Sequence, residues 1–179
     1  MTDNQLIAIL IVIINNGLTA DGFTGIPVIQ SNQPTQQGVV TSPVIFLSKS
    51  KDYWYGWQQE TSVYDPVNDV MNVSSRQRVE TTFEFGARAI QDPTDTSLPT
   101  ASDLLNEVGA IIRSPQTIQY LATLDLGLLR TTEVSNKYDL DDRDQFEATP
   151  IFQTTIVHSR TRITQVPVIE STELDVVRV

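Results

Sequence analysis

A chain of 179 residues, 40% of them hydrophobic, is long enough to build one covered core and too short for two. Its formal charge of −10 argues against tight non-specific binding to nucleic acid, which needs Lys and Arg at the phosphates, although a repelling surface still lets DNA pass beside it without sticking. The absence of cysteine excludes thiol catalysis, disulfides and cysteine-based zinc sites.

Thr2 or Asp3 caps a first helix that runs to about Asn16, with Gly17 as its stop. The β-branched content of this stretch also permits a strand, but the stripe Leu6, Ile9, Leu10 and Ile13 favours the helix. Ile7, Ile11 and Ile14 form a second stripe. A helix apolar on nearly every side must be covered on nearly every side, so one stripe is expected on a sheet and the other against a neighbouring subunit. The apolar run 6–14 falls short of the roughly 20 residues of a membrane span. Asp3 is the only charge before it, so the basic start of a signal peptide is missing. No membrane partner is expected.

Residues 17–42 are rich in Gly, Asn, Gln, Thr and Pro, with a short strand at 26–30. Pro43-Val44-Ile45-Phe46-Leu47-Ser48 is apolar on both alternating faces, the pattern of a buried strand. The aromatic cluster Tyr53-Trp54-Tyr55-Gly56-Trp57 leads into another strand at 58–63, and Asp65-Pro66-Val67-Asn68-Asp69 is a turn by composition. Over 79–85 the alternation is clean. Val79, Thr81, Phe83 and Phe85 point to the core, and Arg78, Glu80, Thr82 and Glu84 point outward.

Residues 92–99 form a linker. Thr100 with Asp103 makes a capping box, and Leu104, Leu105, Val108, Ile111 and Ile112 make one helical stripe. Ser114-Pro115 restarts a second helix with proline at its first position. That helix carries Ile118, Leu121 and Leu124 and ends near Gly127. Two long β runs follow, 128–134 and 146–163, around an acidic turn at 136–144. The second run would extend roughly 60 Å at the usual strand rise, further than one small core covers. Part of it must stand out, and a projecting strand calls for a partner. The expected fold is a single α+β domain over 1–179, with a mixed or antiparallel sheet, helices packed on one face, and a long β-hairpin arm at about 128–165.

The search for chemistry comes back nearly empty. Asp139, Asp141, Asp142, Asp144 and Glu147 invite a calcium reading. An EF-hand loop, however, needs an oxygen ligand at its fifth position and glycine at its sixth, and counting from Asp139 those places hold Arg143 and Asp144. A solvated turn fits better. His158, the only histidine, shares the parity of Phe152 and Ile156 and has no nucleophile near it in sequence, which reads as a structural or interface side chain. Gly22-Phe23-Thr24-Gly25 lacks the lysine of a phosphate loop. No spacing singles out a carboxylate pair for glycosidase chemistry. Trp54 and Trp57 suit a sugar or base platform, or a core edge or interface. Arg76, Arg78 and Arg88, and Arg160 with Arg162, suit ion pairs with the acidic surplus or a track of phosphate contacts. No catalytic residue, metal or cofactor is expected.

The stretch Asn136-Lys137-Tyr138-Asp139, the run 143–155, the polar strand to Val166 and the closing Val168-Ile169-Glu170 resemble the tail terminator (neck) proteins of tailed bacteriophages, with the helices in comparable order. The likeness covers most of the chain. The polar stretch 17–42 and the Trp/Tyr cluster depart from it. The resemblance implies a non-enzymatic virion structural protein and a ring-forming subunit of a homo-hexamer. Such a ring caps the tail tube and joins it to the head–tail connector or neck protein, in the tail and neck of a virion assembled in the host cytoplasm. Tail tube and sheath proteins become partners, and genomic DNA passes through the lumen without specific binding. The residues expected at subunit or partner contacts are Ile7, Ile11, Ile14, Trp54, Trp57, Tyr138, Asp139, Asp141, Asp142, Arg143, Asp144, His158, Arg160 and Arg162. Rival readings are a head-completion or tail-tube protein, and a carbohydrate- or ligand-binding module built on Trp54 and Trp57.

Overall fold

The computed structural model describes residues 1–31, 42–89, 98–140 and 146–168. The first helix, α1 (Asp3–Ala20), starts with a reciprocal capping box between Thr2 and Gln5. It does not stop at Gly17. Its end is a Schellman turn, in which Gly22 takes a positive φ of 88°, Gly22 N–H donates to the Thr19 carbonyl and Phe23 N–H to that of Leu18. Gly17 serves packing instead, because a Cβ there would lie 2.5 Å from Ile111 Cγ2. Leu6, Ile7, Leu10, Ile13, Ile14 and Leu18 are buried. Ile7 and Ile14, expected against a neighbouring subunit, are therefore covered within the chain, as the inner surface of α1 takes in most of both stripes. By length and composition α1 could cross a membrane, but these residues are committed to the core.

The other elements are β1 (Val28–Gln30), β2 (Val44–Asp65), β3 (Val70–Arg88), α2 (Ala101–Arg113), α3 (Pro115–Thr123), β4 (Gly127–Thr131), β5 (Ser135–Leu140) and β6 (Phe146–Pro167). Both later helices begin as their sequences dictate. Thr100 and Asp103 cap α2 reciprocally, and Ser114 caps α3 with Pro115 at its first position. The strands make one mixed six-stranded sheet in the order β1-β2-β3-β6-β4, with β5 also beside β6. Among the described strands only β1–β2 is parallel.

One sheet face meets the helices. Phe83, Phe85, Phe152, Ile45 and Leu47 from the strands pack with Leu104, Leu105, Val108 and Ile112 of α2 and with α1. Phe85 and Phe152, opposite each other in register, stack with centroids 4.8 Å apart. Fully burying one such ring stabilises the fold by about 1.5–3 kcal/mol. Thr82, expected to face solvent, is buried on the other face, where its hydroxyl meets that of Thr155 at 3.2 Å.

Two readings of the strands change. The expected separate strand at 58–63 is the outer half of β2, which runs unbroken from Val44 because a bulge at Gly56-Trp57-Gln58 absorbs the irregularity. The expected acidic turn begins as a strand, since 136–140 pair with 146–150. Ladder hydrogen bonds satisfy this backbone whatever the polarity of its side chains. Asp141, Asp142, Arg143 and Asp144 lie outside the described residues.

The long run is real, and as β6 it reaches Pro167. Its partner along most of that length is β3, from Gly86↔Ile151 to Val70↔Pro167, whereas β4 pairs with it only across 154–157. Beyond the last pairing of β1 at Leu47 and of β4 at Val157, three strands continue with no further strand beside them among the described residues. Residues 53–65, 70–79 and 158–167 thus form an arm roughly 30 Å long.

A three-stranded arm as the candidate assembly surface

The arm joins the body through a line of polar contacts on the helix-facing side of the sheet. Lys49 Nζ bridges Asp3, at 2.7 Å, and Asp52, at 2.5 Å. Thr81 Oγ1 donates to the other Asp52 oxygen at 2.8 Å and lies 3.0 Å from His158 Nε2. Thr81 has one hydroxyl hydrogen, and a carboxylate only accepts. The Thr81 oxygen therefore accepts from Nε2–H, which assigns the His158 tautomer and leaves Nδ1 a bare acceptor, buried without a partner among the described residues.

Burial alone would lower the Lys49 pKa, but the hydrogen bonds to Asp3 and Asp52 outweigh it and hold the group above its ordinary 10.5. Burial raises Asp52, and the hydrogen bonds from Lys49 and Thr81 reverse that, leaving it below 3.8. His158 goes the other way. Desolvation first, and the positive amino terminus second, push it below 6.5. It is 4% exposed, so the expected contact residue is a neutral side chain at the arm's root.

Further out on the same face lies an open groove of about 600 Å³, lined by Trp54, Gln58, Ser75, Gln77, Arg160, Thr161 and Arg162. The Arg160 guanidinium sits 5.6 Å from the Trp54 ring centroid, a cation–π contact that holds both side chains. At the bulge Gly56 takes a φ of 69°, and its carbonyl accepts from Gln77 Nε2 at 3.0 Å. The extra residues turn Trp57 wholly into solvent, at 99% exposure. Trp54 and Trp57 thus hold different positions, one in the groove and one on the bulge.

The opposite face carries exposed Tyr53, Tyr55, Val63 and Ile163. There Arg76 reaches back to the body, donating to Asp125 at 2.8 Å and to Ser159 at 2.9 Å. At the tip, Asp65 Oδ1 accepts from Val67 N–H and Tyr64 donates to Asp69. The turn that composition predicts is well formed.

Of the expected contact residues, the structure brings together Trp54, Arg160 and Arg162, with Trp57 beside them in sequence on the bulge. Ile11 is half-buried against the core. Tyr138 and Asp139 lie on the β5 backbone. Gln58, Glu60, Ser75 and Gln77 were missed. The nearly equal polar runs flanking the Asp65–Asp69 turn held the signal for them, as the mark of a long hairpin. Among the described residues no three His, Asp or Glu side chains gather as a metal site would require.

The family model described as "E217 gateway protein gp29" matches residues 5–168. No curated protein matches. A similar solved structure is the sheath/tube terminator, in the extended state, of an extracellular contractile injection system termed PVC. It has a TM-score of 0.45 and 7% identity, over 96% of this chain and 63% of that one. The chain thus spans less than two thirds of the protein it was compared with.

Proposed function

We propose that this chain, which belongs to the E217 gateway protein gp29 family, is a structural, non-enzymatic component of a phage virion that acts as its tail terminator. It forms a closed ring that caps the tail tube and, on its other side, meets the head connector, with DNA passing through the lumen. One observation carries the reading. The arm runs on past the core with both of its edges open among the described residues, and it presents Trp57, Tyr53, Tyr55, Val63 and Ile163 to solvent. Exposed aromatic and apolar groups in that density mark a contact surface. The net charge of −10 suits a channel that must not hold DNA.

The test is to add the purified protein to a polymerising tail-tube protein and follow tube length by negative-stain microscopy. A terminator stops elongation and appears as a ring at one tube end. Tubes that grow unchanged, or growth of the protein itself into open-ended tubes, would contradict the assignment; the second result would mark it as a tube subunit.

A further inference from the structure

We propose that successive arms join edge to edge, residues 161–167 of β6 in one copy pairing in parallel with residues 59–65 of β2 in the next, so that Arg162 faces the next copy's Glu60. The inference rests on the ring reading and supplies its contact.

Among the described residues the outer halves of β2 and β6 pair with β3 on one side and have no strand on the other. Open edges of that length pair with another chain unless guarded. The bulge at 56–58 guards the inner part of the β2 edge, and beyond it the register is unbroken from Gln59↔Arg76 to Asp65↔Val70. The two open edges differ in charge. Residues 53–65 carry Glu60 and Asp65 and no base, while 158–167 carry Arg160 and Arg162 and no acid. Pairing like edges in a two-fold dimer would set like charges together. Pairing unlike edges sets opposite charges together and repeats head to tail, the arrangement that closes into a ring.

Direction and height agree. β2 and β6 are each antiparallel to β3, so both run outward, and a rotation alone brings one copy's β6 beside the next copy's β2. With the ring axis along the arm strands, a closed ring allows no shift along them. Glu60, Ser75 and Arg162 form one row across the arm, and at equal height that row continues from Arg162 to the neighbouring Glu60 on the same face. A slip of one residue would put the two charges on opposite faces. Arg160 is occupied by Trp54, whereas Arg162 has no ion pair among the described residues and Glu60 only accepts from Ser75 at 3.3 Å. Both side chains are exposed.

The experiment compares wild type, Glu60→Arg, Arg162→Glu and the double variant by sedimentation, with circular dichroism as the check of folding. Each single variant should raise the concentration of half-assembly at least about tenfold, and the double variant should return within about threefold of wild type. Single variants that assemble as wild type does, or a double variant that fails to recover, would overturn the pairing while leaving the ring in place. A chain ended after Val168 should still assemble. If it fails as badly as Arg162→Glu, residues 169–179 rather than β2 cover the edge, and the pairing is wrong. A wild type that stays monomeric removes the ring reading and the pairing together.

Discussion

His158 marks the point where the body ends and the arm begins, and its protonation can be read in solution because it is the only histidine in the chain. Its pKa in the fold lies below 6.5 through burial, while unfolding restores the ordinary value. Above about pH 6.5 neither state is charged and the full stability is present. As pH falls below that value the unfolded chain takes a proton that the folded one refuses, so stability drops until the folded pKa is passed. The urea midpoint should therefore fall between pH 7 and pH 5, with a shallower fall in His158→Gln. Equal slopes in the two proteins would show that His158 is not buried and neutral. Glu107, raised first by burial and then by Asp21, contributes with the opposite sign in both proteins and leaves the comparison intact. Alkaline pH tests Lys49 in the same way. Its raised pKa gives a stabilisation present below about 10.5 and lost as pH rises through the folded value.

Among the elements, α1 and α2 approach closely at Gly17, where the Ile111 side chain occupies the space of a missing Cβ. Gly17→Val should destabilise by about 2 kcal/mol, since overpacking outweighs the gain from removing a helical glycine. An unchanged denaturation midpoint would mean that the helices separate freely. The arm should behave differently. Replacing residues 60–75 by Asn-Gly, a two-residue hairpin turn, should leave the helical circular dichroism and melting of the body near wild type while abolishing assembly. Loss of the helical signal would place the arm in the folding core.

These elements also show what the sequence discloses and what it withholds. The caps at Thr2, Thr100 and Ser114 act within a few residues, as does the alternation over 79–85, and all were legible. Gly22 carried the true stop of α1 but was masked by Gly17, whose role depends on Ile111 far along the chain. Strand pairing is a non-local choice. Nothing near 128–134 says that it pairs over only a few residues, and nothing near Gly56 says that a bulge lets β2 run on. The excess length of β6 was therefore visible, while the identity of its partner strands was not. Of the candidate site, Trp54 could be named from the aromatic cluster and Arg160 with Arg162 from their shared parity, but their meeting across three strands depends on that register.

At the scale of the whole molecule, an acidic chain carries an arm that no other strand covers among the described residues, and the two edges of that arm have opposite charge. A core of this size cannot shelter the arm, and repetition of the subunit around a closed ring would leave no edge open. Sedimentation of the intact protein at micromolar concentration tests this directly. The account predicts one discrete species at a fixed multiple of the 20.0 kDa subunit, near six, that dissociates when the arm is shortened. A stable 20.0 kDa monomer at every concentration, or the same assembly with and without the arm, would contradict it.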